Sequence, residues 1–223
     1  MPLSRLMLIS LALYCGLVPS PVKALPVTVR YELKATGVND PNSVLGLSVG
    51  SNFAIEATLI NPINATPTSQ QSYYPIDQLT YYFPSGTFTA LPDPNPAFNP
   101  EIRVANQDPR CCRVADAMGL VFPHLSVSGL YGTQPATLNY GIQQALDMVD
   151  TDATWLSSTD LPGFFLPLSA YETVSHILFG FSVGASTAEI NSSIIGASIP
   201  EPTSGLLLAT GLLGIAVRRR VNA

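Results

Sequence analysis

The sequence predicts an all-β protein, an antiparallel β-sandwich of jelly-roll type with one short helix in the body and a hydrophobic helix near the C-terminus. Two features of the chain support this fold class. Apolar and polar side chains alternate with period two in several short segments, which places the apolar ones on one face of a strand. Glycine and proline turns separate those segments, and no long helical pattern alternates with them.

The clearest predicted strand lies at the start of the body, where five apolar residues of 27–35 alternate with polar ones. The same alternation returns at 53–59 after a Gly-Ser-Asn turn, and residues 87–90 are expected to pair with 77–83 across a Pro-Ser-Gly turn. The predicted strands span residues 27–35, 53–59, 77–83, 87–90, 120–128, 174–183 and 189–199.

Two segments depart from this pattern. Residues 142, 145, 146 and 149 are apolar at helical spacing, which predicts a helix of two turns that covers one end or face of the sheets. Residues 91–109 contain five prolines, which remove ladder donors, and they have little apolar periodicity. This segment is therefore predicted to be a long surface loop, either functional or merely tolerated.

The first 24 residues have the pattern of a secretory signal peptide. Arg5 precedes an apolar stretch from Leu6 to Val18, and Val22-Lys23-Ala24 offers a small residue at each flank. We expect signal peptidase to cleave after Ala24, so residues 1–24 are not part of the predicted fold. The mature body, residues 25–199, is long enough for one domain with a sizeable core.

The last 24 residues, 200–223, combine a short polar motif, an apolar run and a basic end. The motif and the basic end consist of Pro200, Glu201, Pro202, Arg218, Arg219 and Arg220. The apolar run 205–217 spans about 20 Å as a helix, against a hydrocarbon core of about 30 Å. The difference between the two lengths becomes smaller if the segment is counted from residue 203 and the arginine side chains reach the cytoplasmic interface. We expect 203–217 to contact the membrane transiently, with an ordinary tail anchor as the alternative.

This tail resembles the PEP-CTERM sorting signal of Gram-negative bacteria. The resemblance implies recognition by an exosortase, a membrane enzyme that processes exported proteins. The body is also similar to the uncharacterised β-sandwich domains found ahead of such tails, in the opening strand 27–37, in the step 49–53 into the next strand, and in Asp160-Leu161-Pro162. Both resemblances imply export, processing and residence in the cell envelope, at the cell surface or in an exopolysaccharide biofilm matrix, with no activity attached.

The charge of the body limits its partners. Residues 25–199 contain 14 acidic and five basic side chains, which gives a formal charge of −9. Nucleic acid is not an expected partner, because its phosphates require clustered lysine and arginine. The predicted function is a structural or interaction role without enzymatic activity.

A carbohydrate-binding module is the first alternative, with extracellular polysaccharide as the partner. Its candidate residues are Tyr73, Tyr74, Tyr81 and Tyr82, together with the proline-rich loop. Exposed tyrosine rings can stack on sugars. The same tyrosines are typical strand and loop packing residues, and packing is the preferred interpretation.

One string matches a catalytic motif. Residues 46–50 have the G-x-S-x-G pattern of a nucleophile elbow around Ser48, and aspartates and His176 follow in the chain order of α/β-hydrolases. An elbow requires a helix after the serine, whereas 53–59 alternates as a strand. A serine hydrolase that uses Ser48 is therefore the second alternative, a strand connection is preferred, and no catalytic residue is assigned.

No metal site and no cofactor are predicted. His124 and His176 are the only histidines, and neither has a ligand partner at helical spacing. Asp147, Asp150 and Asp152, with Asp160 beyond, offer oxygen ligands that suit calcium, but they lack the glycine and the spacing of a calcium loop. The preferred interpretation of this cluster is a solvated, acidic helix end.

Cys111 and Cys112 are the only cysteines outside the predicted signal peptide. Outside the cytoplasm three outcomes compete: a strained bridge between the neighbours, links to another chain, and two free thiols. Arg110 and Arg113 flank the pair and favour thiolates. The pair is thus a candidate disulfide or reactive-thiol site.

Overall fold

The computed structural model describes residues 26–59, 70–91, 93, 95, 99–110, 113–122, 126–140, 145–158, 160–162, 165, 167–171, 173–174 and 176–199. These residues form thirteen strands and a 3-10 helix, Leu168–Ala170. The strands are β1 (Val27–Asn39), β2 (Asn52–Leu59), β3 (Gln71–Pro75), β4 (Gln78–Phe83), β5 (Gly86–Ala90), β6 (Glu101–Arg110), β7 (Arg113–Val121), β8 (Ser126–Tyr131), β9 (Gln134–Tyr140), β10 (Ala145–Asp150), β11 (Thr173–Val174), β12 (His176–Val183) and β13 (Ser186–Ser198).

Eight of the strands form a closed antiparallel barrel. Around the wall they follow the order β1, β2, β4, β5, β8, β9, β12 and β13, so each barrel strand pairs with the next barrel strand along the chain. β1 closes the barrel because it pairs with β2 on one side and with β13 on the other. Tyr31, for example, lies opposite Ile55 in β2 and Ala197 in β13.

The other five strands form a second antiparallel sheet in the order β3, β6, β7, β10 and β11. All five lie in the connections β2–β4, β5–β8 and β9–β12, which leave the barrel at one end. We call this end the sheet rim, and β1 begins and β13 ends there. At the opposite end, the turn rim, the pairs β1–β2, β4–β5, β8–β9 and β12–β13 are joined directly.

Aromatic rings that point inward fill the barrel. Phe83 lies at the centre of a cluster in which ring centroids are 5.6–6.2 Å apart. Its ring neighbours are Phe53, Tyr81, Phe179 and Phe181. The second sheet contributes to the same core through Ile102, Val104, Met118, Leu120 and Met148. The barrel and the second sheet therefore share one apolar interior, which large rings of this kind stabilise strongly.

The prediction of an all-β, antiparallel protein is confirmed. The alternating segments 27–35 and 53–59 lie in β1 and β2, and 77–83 and 87–90 form the β4–β5 hairpin. The predicted sandwich was wrong, because eight of the strands close into a barrel. Alternation tells which side chains point inward, but it does not tell whether the first and last strands pair with each other.

The predicted helix around 142–149 was also wrong. Residues 145–150 form β10, between β7 and β11, while 141–144 lie outside the described residues. Met148 and Val149 are consecutive, so they point to opposite faces of the strand, and both are buried. A strand that buries both faces loses its polar alternation, which is why its apolar spacing resembled that of a helix.

The proline-rich segment 91–109 is not a continuous loop. Its second half is β6, with Pro100 just before the strand and Pro109 next to the strand's end. Both prolines thus avoid the middle of the strand, as their missing donors require. The predicted strand 120–128 is in fact two strands, because β7 ends at Val121 and β8 begins at Ser126.

A buried carboxylate connects the second sheet to the loop after β10. Asp116 lies in β7 and is inaccessible to solvent. One of its oxygens accepts the backbone N–H of Gln107 at 3.0 Å, at the bulge in β6, and the other accepts that of Leu156 at 2.6 Å. Asp116 thereby holds β6 and the loop after β10 together, although these two segments do not pair as strands.

We predict that Asp116→Ala lowers the free energy of unfolding by roughly 3 kcal/mol, because the backbone N–H groups of Gln107 and Leu156 both lose a charged acceptor, and the bond to Leu156 is buried. Urea denaturation of the purified full chain, followed by tryptophan fluorescence, measures this. Asp93→Ala is the matched control, since exposed Asp93 accepts a single local N–H from Asn95 and its loss should cost about 0.5 kcal/mol or less. Equal losses for both variants would contradict the role assigned to Asp116.

Candidate functional site

An open groove of about 250 Å³ lies on the outer wall of the barrel, where β1, β2 and β4 adjoin. We call it the Tyr82 groove. It is lined by Arg30, Glu32, Asn52, Phe53, Ala54, Tyr82, Phe83 and Pro84. Asn52 is the first residue of β2 and Pro84 follows the last residue of β4, so the groove opens beside the turn rim.

Strand register explains why these side chains lie together. Glu32 in β1 is opposite Ala54 in β2, and Ala54 is opposite Tyr82 in β4. Tyr81 points into the core, so Tyr82 must point outward. Directly opposite residues are about 5 Å apart, and the short side chain of Ala54 leaves a gap between Glu32 and Tyr82.

The Arg30 guanidinium links the polar groups of the groove. Its Nε lies 2.6 Å from Oε1 of Glu32, and its Nη1 lies 2.5 Å from Oε1 of Glu56. The Tyr82 hydroxyl donates to Oε2 of Glu56 at 2.7 Å, and the guanidinium carbon is 5.6 Å from the centre of the Tyr82 ring. These contacts hold the ring in one orientation before any ligand arrives.

The protonation of this network is set by the two glutamates. Hydrogen bonding to Glu32 and Glu56 raises the pKa of Arg30. The hydrogen bond to Glu56, together with burial, raises the pKa of Tyr82. Arg30 therefore keeps its charge and Tyr82 its phenolic proton at neutral pH.

The groove combines an aromatic surface with hydrogen-bonding groups at its edge. The Tyr82 residue is 40% exposed, although it lies in a strand that is paired on both sides. Carboxylate oxygens of Glu32 and Glu56 and the amide of Asn52 flank it. An apolar ring face surrounded by a few fixed polar groups suits a ligand that carries both C–H surfaces and hydroxyl groups.

The C-terminal tail matches a known family. The family model of the PEP-CTERM protein-sorting motif matches residues 198–220, starting at the last residue of β13. The chain carries a PEP-CTERM sorting motif. No curated protein and no solved structure matches the chain. The PEP-CTERM motif indicates a protein that is exported to the cell envelope or surface and sorted by an exosortase.

Several predicted site residues lie outside the described residues. These are Ala24, Cys111, Cys112, Pro200, Glu201, Pro202, Arg218, Arg219 and Arg220. The segment 203–217 lies outside as well. In the described ranges no helix has the length and apolar character needed to cross a membrane. Signal-peptide cleavage, the cysteine site and the transient membrane contact stay predictions.

The four candidate tyrosines do not share one face. Tyr74 and Tyr81 are buried in the core, and Tyr73 is half-buried in β3, where its hydroxyl donates to Gln71 at 2.7 Å. Tyr82 is the exposed member of the set. A binding face built on all four tyrosines is therefore wrong, and the candidate is reduced to Tyr82.

Ser48 lies in the connection between β1 and β2, as the strand interpretation required. Its hydroxyl is 3.1 Å from that of Ser51, and its backbone N–H donates to the Ser51 hydroxyl at 3.0 Å. The segment that follows is β2, a strand, whereas a nucleophile elbow needs a helix at this point. The local geometry is that of a hydrogen-bonded turn.

The acidic cluster is not a solvated helix end. Asp147 lies in β10 and forms an ion pair with Arg103 at 2.8 Å. Asp150 is buried at the end of the same strand, and its carboxylate accepts the backbone N–H groups of Thr154 and Trp155. Across the described segments, no group of three or more His, Cys, Asp and Glu side chains is arranged to hold a metal ion.

The charged part of the Tyr82 groove was not predicted from the sequence. Arg30, Glu32 and Glu56 occupy the outward positions of two alternating strands, so their exposure was predictable. Their proximity was not, because it depends on the pairing of Arg30 with Glu56 in the register of β1 and β2. Opposite charges at outward positions of consecutive strands were the available signal.

Proposed function

We propose that the protein is displayed at the cell surface or in the exopolysaccharide matrix, where it binds polysaccharide chains without changing them chemically. The single observation that supports this is the Tyr82 groove, a fixed and exposed aromatic ring flanked by carboxylates and an amide on a barrel wall. The PEP-CTERM motif supports the location, since it indicates an exported protein.

The ring provides the main attraction in this proposal. A sugar ring laid on Tyr82 buries C–H groups against an apolar face, while its hydroxyls reach the flanking carboxylates and Asn52. Because Glu32, Glu56 and Arg30 already hold each other, little side-chain entropy is lost when the ligand binds. Binding of this kind requires no nucleophile and no metal.

The charge of the groove selects the kind of polysaccharide. Two glutamates surround a single arginine, and the body as a whole has a formal charge of −9. An acidic polysaccharide would meet like charge at the site and over the surface. The favoured ligands are neutral polysaccharides.

We predict that Tyr82→Ala weakens binding of a neutral polysaccharide about tenfold, the equivalent of one aromatic contact of roughly 1.4 kcal/mol. Affinity electrophoresis of the full chain through gels that contain dextran, galactomannan or hydroxyethyl cellulose measures the retardation, and polygalacturonate serves as the acidic comparison. Tyr73→Ala is the matched control, because Tyr73 lies in the second sheet, and it should migrate as the unmodified protein does. Retardation that Tyr82→Ala leaves unchanged would refute the site.

The proposed location has its own test. We predict that replacing Pro200, Glu201 and Pro202 by alanines leaves the chain in the membrane fraction at its unprocessed mass. The unmodified chain should appear at the surface or in the matrix at a lower mass, and only in cells that contain the exosortase. Fractionation followed by mass spectrometry measures both, with Asn222→Ala as a control in the same tail. Unmodified chain at unprocessed mass in the cytoplasm would contradict the proposal.

A further inference from the structure

A second groove, of about 340 Å³, lies on the outer wall of the barrel across β9, β12, β13 and the end of β1. Its floor is Gly180 in β12, and we call it the Gly180 groove. Gly180 lies opposite Asn139 in β9 and opposite Glu189 in β13, and Glu189 in turn lies opposite Asn39 in β1. With strands about 4.8 Å apart, the glycine leaves a gap of roughly 10 Å between Asn139 and Glu189.

The fold does not require a glycine at this position. A Cβ atom on Gly180 would meet its nearest heavy atom, Cβ of Asn139, at 3.8 Å, which is an ordinary contact. Gly129 is different, because a Cβ there would lie 2.4 Å from the ring of Phe88. The register through Gly180 is also regular on both sides, without a bulge. Glycine weakens a strand interior, and where neither a clash nor a bulge accounts for it, it is typical of a position that another molecule can approach closely.

The walls of the groove are polar and available. They consist of the amides of Asn39 and Asn139, the hydroxyls of Ser182 and Thr187, and the carboxylate of Glu189. Within the described part of the chain, none of these five side chains hydrogen-bonds to another protein group. A ligand that enters the groove thus finds donors and acceptors that need no rearrangement of the protein.

We infer that the Gly180 groove is a second binding site, and that its ligand is a segment of a neutral, hydroxyl-rich oligosaccharide. Amides and hydroxyls both donate and accept hydrogen bonds, as sugar hydroxyls do, and they carry no charge. Glu189 adds an acceptor and disfavours an anion, and no cation is among the lining residues. The inference rests on the proposed polysaccharide binding and extends it to a second surface.

The two grooves lie beside the same rim. Ser182 and Thr187 flank the β12–β13 turn, just as Asn52 and Pro84 border the turn-rim end of the Tyr82 groove. The Tyr82 groove extends from β1 to β2 and β4, whereas the Gly180 groove extends in the other direction, from the end of β1 to β13, β12 and β9. Two sites on one rigid barrel raise the apparent affinity for a long chain, or join two chains, without any additional contact.

The test observes the groove directly. The probes are cellohexaose, maltohexaose and mannohexaose as neutral ligands and hexagalacturonate as the acidic one, each added to the full chain in mild detergent. The readout is the NMR signal of the side-chain amides of Asn39 and Asn139. We expect at least one neutral hexaose to shift these signals in the unmodified protein and in Gly180→Ala, whose methyl group leaves the groove open. Gly180→Leu, which fills the groove, should reduce the affinity at least tenfold with an unchanged melting temperature.

Three results would overturn the inference: no shift with any neutral hexaose, a shift that persists in Gly180→Leu, or a stronger response to hexagalacturonate. If Gly180→Leu should fold poorly, Asn139→Ala at an exposed position supplies the same test by removing one wall. Tyr82→Ala separates the two sites, because it should leave the Asn39 and Asn139 shifts intact. If the amide shifts are observed but retardation in the gels does not depend on Tyr82, the proposed function is refuted and the second site is not. If retardation depends on Tyr82 but no amide shift is observed, the second site is refuted and the proposed function is not.

Discussion

The structure depends on the pairing of β1 with β13. β1 is the one strand that joins the beginning of the barrel to its end, through Tyr31 opposite Ala197 on one side and Ile55 on the other. This pairing removes the two open edges that a curved sheet of eight strands would otherwise expose. It also contributes to the core that contains the rings around Phe83, through Tyr31 and Leu33 of β1 and Ile190 and Ile194 of β13.

The barrel has two different ends. Because the barrel strands alternate in direction, the start of β1, the end of β13 and the three connections that build the second sheet all meet at the sheet rim. The PEP-CTERM match begins at Ser198, where β13 ends, so the sorting tail is attached at this end. Both grooves open beside the turn rim. The end of β13 at Ser198 and the two polar grooves therefore lie at opposite ends of the barrel.

Much of the fold was predictable from local pattern, and the rest depended on distant pairing. The alternation in 27–35 and 53–59 reports a strand with one buried face, and the structure has strands there. β10 was not predicted as a strand because Met148 and Val149 are buried on opposite faces, so apolar and polar residues do not alternate there. The grooves could not be predicted from the sequence for a different reason. Gly180 becomes informative only when its neighbours Asn139 and Glu189, far apart in the chain, are known.

Hydrogen exchange of the full chain tests the closure most directly. If β1 and β13 close the barrel, their amides from Val29 to Leu33 and from Ile190 to Ile194 should exchange as slowly as those of β2 and β12, in a single cooperative step. An open barrel would leave both of these strands as edges. Exchange of β1 or β13 as fast as that of β3, the edge of the second sheet, would contradict the account.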